Sequence, residues 1–340
     1  MSAFMPIKTS LKRASGWLYL HSPKGRSQLR GAGVILMLHR VLADDASAAL
    51  PHRNELCVGP QAFERLLRWL RQHFDCVHLM DLLKDHQQPR GDSRPKVALT
   101  FDDGWRDNAL NAFPLLQQYQ VPASIFLSTD YIGSRQRFWW ESLGETLWGS
   151  HGEGPRHTLI EALRKIGRPL PAAYFMNQRP NARSQALAGY LQSLKTLSPA
   201  ALHQLTDACP AESLPQALDW QQVRELEGSG LISFGPHGAS HALLPGLDNQ
   251  RLDEELSRSH HALQQGCQQP LPVYCYPNGD HDARVRARLA AHRYPFALST
   301  RAGICQGHDD PLALPRIGVS QRNASRPSLL AWRISRGGRS

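Results

Sequence analysis

The chain has little cysteine, no long apolar run and, at both ends, no acid. Six cysteines are scattered over 340 residues without a C-x-x-C pair. That argues against a disulfide framework or a cysteine zinc site and makes reduced thiols in a cytoplasmic setting the expectation. No apolar stretch approaches the ~20 residues of a membrane-spanning helix. Trp17-Leu-Tyr-Leu20, which follows Lys8, Lys12 and Arg13, is shorter than the ~7–15-residue core of a signal peptide. Export by that route is not expected.

Residues 1–40 carry seven Lys and Arg and no Asp or Glu, and residues 320–340 carry five and none. Those twelve bases exceed the whole formal net charge of +10, so the body between them is slightly acidic. A nucleic-acid-binding domain would carry its basic stripe on the folded part, and nucleic acid is not an expected partner. The basic ends, with Trp17–Leu20 and Trp332 among them, suit peripheral contact with the anionic inner face of a cytoplasmic membrane. Solubilising tails are the plainer reading. The expected organisation is a basic arm over 1–33, a folded body over 34–319 and a basic tail over 320–340.

What is present is an ordinary globular composition, 41% hydrophobic and 8% aromatic, too rich for a disordered chain. Apolar runs at 34–38, 97–101, 123–127, 232–234, 273–276 and 296–299 alternate with helical patterns at 61–70, 109–119, 220–228, 249–265 and 283–292, and 76–78 reads as a further short strand. Uniformly apolar strands between helices predict a parallel sheet covered on its faces, and the number of units favours a barrel. Residues 134–215 break the rhythm with helical patterns and no strand, which reads as a helical insertion. It holds Trp139 and Trp140, suited either to stacking on a sugar ring or to packing the insertion.

Four clusters each fall just after an apolar strand: His39, Asp102-Asp103-Gly104, His237 with His241, and Pro277-Asn278-Gly279. Parallel barrel strands converge at their C-terminal ends, where such folds place active sites. Adjacent carboxylates at a strand end point in different directions, so one can bind a cation while the other accepts a proton. An Asp-Asp-Gly turn capping the next helix is the structural alternative. His237 and His241, four residues apart, can present both rings to one metal. With an Asp from another strand they make a three-ligand site with open positions, the catalytic arrangement.

Thr100-Phe-Asp-Asp-Gly104, His237-Gly-Ala-Ser-His241 and Tyr274-Cys-Tyr-Pro-Asn-Gly279, in that order, resemble the polysaccharide deacetylase (NodB-like) family. The resemblance also takes in the helix after Trp220 and the segment 310–316. It implies a distorted (β/α)7 barrel that hydrolyses N- or O-acyl groups of aminosugars with a divalent metal, zinc first, with cobalt, manganese or iron compatible. It implies that Asp103, His237 and His241 hold the metal and that Asp102 is the general base. The oxyanion would be met by the metal and by a backbone N–H of the turn holding Asn278 and Gly279.

The order of motifs departs from the usual one. The family's late Leu-x-His is missing after residue 300, while Leu36-Met-Leu-His39 stands at the front. The chain therefore resembles the circularly permuted arrangement, with His39 as general acid. Gly238 replaces the Ser or Thr that usually follows the first motif histidine. Cys275 stands where an Arg commonly orients the base, and Arg316 or Arg301 is the candidate to replace it, Arg316 also being placed at the substrate. The expected activity is removal of an acetyl or other acyl group from an aminosugar of a surface polysaccharide, oligosaccharide or lipid-linked precursor. The partner is that glycan or glycolipid, met in the cytoplasm. The alternatives are a degenerate glycan-binding member and a metal-dependent hydrolase of a non-sugar C–N bond.

Overall fold

The computed structural model describes residues 7–30, 32–53, 55–86, 94–176 and 179–337. Seven principal strands carry the fold: β1 (Ala32–Leu38), β2 (Lys96–Phe101), β3 (Ala123–Leu127), β4 (Ile232–Pro236), β5 (Val273–Cys275), β6 (Phe296–Ala302) and β7 (Leu314–Gly318). They lie in the order β4-β3-β2-β1-β7-β6-β5, each parallel to its neighbours. The Leu271 N–H donates to the Phe234 carbonyl at 2.7 Å, bringing the entry of β5 to β4 and almost closing the barrel. β1, first in the chain, sits between β2 and β7, the place the permuted order requires.

The strands are apolar on both faces because both are covered. Val34, Leu36, Val97, Leu99 and Ile125 enter the largest core cluster, while Ile35, Ala98 and Phe126 pack in another. Side chains of alternate positions thus reach opposite sides of one wall. The run at 76–78 supplies only the two-residue strand Asp75–Cys76, beside Lys96 and Val97. β7 is the strand that the apolar runs do not mark. Pro315 removes a ladder donor and Arg316 breaks the apolar pattern; the register shifts between Leu314 and Arg316 to accommodate them.

The pattern at 109–119 resolves into a π-helical turn, Asn108–Ala112, followed by the helix Phe113–Tyr119. Pro114 cannot donate a helical hydrogen bond, and the side chains of Asn108 and Asn111 are drawn to the carbonyls of His39 and Val41. Within 134–215 the described residues form five helices, Trp139–Trp148, Glu153–Lys165, Ala172–Met176, Pro180–Leu194 and Pro199–Thr206. They share a core of their own around Leu143, Leu159, Leu163 and Leu194.

The basic ends differ from arms standing clear of the body. Ile7–His21 packs on Pro327–Ser335, and Leu29, Leu330 and Ile334 belong to the main core. Charge dominates these segments in the sequence, but each carries an apolar helical stripe. Residues 1–6 and 338–340 lie outside the described part. Among the described residues no helix is long and apolar enough to cross a membrane.

Candidate active site

At the end of β2 the chain turns sharply. Asp103 and Gly104 have φ of 76° and 81°, so the two carboxylates diverge instead of alternating as in a strand. Asp103 takes the left-handed conformation that disfavours most side chains. Its Oδ2 accepts the Trp105 indole N–H at 2.8 Å. Its Oδ1 lies 3.4 Å from His237 Nε2 and 3.3 Å from His241 Nε2.

These three ligand atoms fall within 4.8 Å of one another, the compact His₂Asp set expected from the spacing. His237 Nδ1 lies 2.8 Å from the Cys275 carbonyl; with the proton there, Nε2 keeps its lone pair for a metal. His241, with φ of 60°, is covered by the Trp140 ring at 4.4 Å between centroids. Burial outweighs the neighbouring Asp103 and lowers the His241 pKa, favouring the neutral ring that ligates metals. For Asp103, burial opposes ionisation but the two imidazoles outweigh it and hold the carboxyl well below its usual range. Three hard or borderline donors with a bound indole and carbonyl behind them fit a divalent cation such as zinc.

Asp102 has a different set of partners. Arg316 donates through both terminal nitrogens to its two oxygens at 2.7 Å each. Cys275 Sγ lies 3.4 Å from Oδ1, and His39 Nε2 stands 4.0 Å from Oδ2. Burial raises the cost of the charge, yet the Arg316 guanidinium outweighs it and brings the Asp102 carboxyl down to about 2. Arg316 itself is fully buried, and it also donates to the Ser299 carbonyl and to Thr100 Oγ1. The cation for Asp102 that is absent at position 275 is therefore supplied by β7. This corrects the placement of Arg316 at the substrate, since its donors are spent inside the barrel wall. Arg301 bonds instead to Asp309.

The turn after β5 requires a second correction. Asn278 and Gly279 have φ of 59° and 79°. The Gly279 N–H donates to the Tyr276 carbonyl at 2.8 Å, so it is not a free oxyanion donor. Glycine is needed there for room: a Cβ would stand 2.1 Å from Thr300 Oγ1. Asn278 does line the cleft; its Oδ1 accepts from Lys195 and its Nδ2 donates to Asp280.

Gly238 also has a physical reason. Its φ is 77°, and a Cβ would meet Glu255 Oε1 at 3.0 Å. Glu255, from the helix Asn249–Gly266, accepts from the backbone N–H groups of Ala239 and Ser240 at 2.8 and 2.6 Å and from the Ser240 hydroxyl. A carboxylate from another element steadies the His237–His241 loop in place of the missing hydroxyl.

The site opens into a cleft of 420 Å³ lined by His39, Asp102, Asp103, His237, His241 and Asn278. Its outer wall comes from the insertion, through Trp139, Trp140, Glu141, Glu145 and Lys195 among others. Trp139 also packs in the insertion core, as the packing reading has it, whereas Trp140 covers His241. Glu145 accepts from Arg53 and contacts His52 Nε2 at 2.6 and 2.7 Å, while Arg40 bridges Asp107 and Glu141. A second cavity of 690 Å³ shares Trp139, Lys195 and His241 with the first. Arg40, Glu141, Glu145, Lys195 and Glu255 give no motif signal, since their partners lie far away in the chain.

A parallel barrel with a compact His₂Asp set that could hold a metal ion and a separate, cation-clamped carboxylate on its C-terminal rim is the arrangement of a hydrolase barrel. The polysaccharide deacetylase family model matches residues 90–297, and the chain belongs to that family. It is similar to YxkH of Bacillus subtilis, which carries a provisional polysaccharide deacetylase name, with 30% identity over 115 residues, 34% of this chain and 40% of that protein. It is also similar to the poly-beta-1,6-N-acetyl-D-glucosamine N-deacetylase of Staphylococcus epidermidis, 35% identical over 78 residues, 23% of this chain and 27% of that one. Both matches therefore span less than half the length of those relatives. The fold is similar to that of the Streptococcus pyogenes deacetylase PplD solved with acetate, with a TM-score of 0.56 at 17% identity over 88% of this chain and 98% of that one.

Proposed function

We propose that the protein is a metal-dependent hydrolase that removes an N-acetyl, or other acyl, group from an aminosugar of a glycan. The carrying observation is that Asp102, held ionised by Arg316 and 4.0 Å from His39, stands beside the Asp103/His237/His241 set in one cleft. A divalent cation on that set, zinc first, would polarise the acyl carbonyl and acidify water. Asp102 takes a proton from the attacking water. His39 delivers a proton to the leaving amine as the C–N bond breaks. The products are acetate and a free amine on the sugar. The Asn278 turn borders the place where the acyl oxygen would lie.

The substrate is proposed to be a surface polysaccharide, an oligosaccharide or a lipid-linked precursor modified in the cytoplasm. Gly238 and Cys275, which weigh toward a non-catalytic glycan binder, are each offset by a nearby group, Glu255 and Arg316. Acetate release from acetylated oligosaccharides, with metal content measured alongside, tests the reading. Wild type should release acetate while Asp102→Asn keeps its metal and does not. Full metal with no turnover of any acylated sugar by the wild type would sink it. Turnover of a cyclic imide in preference to every sugar would establish the non-sugar alternative.

A further inference from the structure

The helix Ile7–His21 carries apolar residues on the side that faces away from the protein. Its inner side holds buried Thr9 and Gly16. Gly16 lies so close to the helix Pro327–Ser335 that a Cβ would stand 2.5 Å from the Ser328 carbonyl oxygen. On the outer side Leu11, Ala14 and Leu18 follow the i, i+3, i+7 spacing of one helical face. Leu11 is 62% exposed, Leu18 59% and neighbouring Trp17 55%. Three of the ten large exposed hydrophobics among the described residues thus fall on this one helix, and the stripe is a feature and not a scatter.

Exposed cations flank the helix along its seam with Pro327–Ser335. Lys12 Nζ lies 4.1 Å and the Arg336 guanidinium 5.2 Å from the Trp332 ring. Arg13 reaches Ser328 Oγ, and Lys24 is exposed on the next helix. The two chain ends that build this surface contain no acid.

We infer that the outer face of Ile7–His21, with the flanking cations, is a docking surface for an anionic lipid bilayer. Leu11, Leu18 and Trp17 enter the boundary between headgroups and acyl chains, and the bases meet the lipid phosphates. A second copy fits less well, because a two-fold interface would bring the basic flanks of the stripe against one another. Nucleic acid would satisfy the bases and leave the leucines against a charged backbone. The inference stands apart from the deacetylase reading, since binding alone tests it.

The test is co-sedimentation of the full chain with phosphatidylcholine vesicles made with and without phosphatidylglycerol. Binding is expected only to the anionic vesicles and weakens as salt is raised. Leu11→Glu with Leu18→Glu should weaken it by about tenfold or more at unchanged helix content, whereas Leu214→Glu, an exposed leucine elsewhere, should not. No binding, or binding that ignores the Leu11/Leu18 pair, would overturn the inference. So would a concentration-dependent dimer that the pair abolishes while vesicle binding stays absent.

Discussion

Arg316 grips both oxygens of Asp102 at 2.7 Å from a strand that does not neighbour β2; β1 lies between them. The clamp therefore joins β7 to the end of β2 past the intervening β1 and fixes the proposed base in one orientation.

Replacing Arg316 with Met should strand the buried carboxylate. The expected cost is about 3–5 kcal/mol of stability and about 10²–10⁴ in kcat/KM. Thermal unfolding and initial rates measure the two. In an Asp102→Asn background the same change should add little further loss of rate, because the two act as a unit. Additive losses would show that Arg316 acts elsewhere.

The pH dependence follows from the same pair. The folded Asp102 carboxyl titrates at about 2, below its ordinary 3.8. Its stabilising contribution is therefore complete above the ordinary value and is lost as pH falls through the folded one. Stability of the wild type, followed by denaturant unfolding from pH 5 to 2, should fall more steeply than that of Asp102→Asn. Parallel curves would contradict the assignment.

Glu255 is expected to act on metal affinity. Glu255→Gln loosens the His237–His241 loop and should weaken zinc binding by about 10–100-fold, read by competition with a chromophoric chelator. Gly238→Ser, which restores the commoner residue of the family, should destabilise the protein by about 1–2 kcal/mol through its positive φ and the Glu255 contact.

Lys195 joins the two cavities and bonds Asn278. Lys195→Met should raise KM by roughly tenfold with a smaller change in kcat, and more for long oligosaccharides than for a single acetylated sugar. Equal effects on every chain length would remove it from substrate contact.

The placement of the candidate site was legible because each of its groups sits just after an apolar strand. Asp102, Asp103, His237, His241 and His39 all come together where that placement put them. The Asp102 clamp was visible only as an alternative, since Arg316 acts from a strand broken by Pro315. Gly279 was misread because a backbone donor leaves no trace in side-chain chemistry; its N–H is consumed within its own turn. Glu255 and Lys195 were silent for a different reason: each meets its partner across a long stretch of chain, and helical spacing describes only the face on which each lies.

The outer wall of the cleft is drawn from a segment with a hydrophobic core of its own. Away from Trp140, which covers His241, substitutions there can reshape the cleft wall while the barrel packing that holds Asp102 stays as it is. The shape of the cleft wall and the geometry of the carboxylate and histidine cluster are thus under largely different constraints.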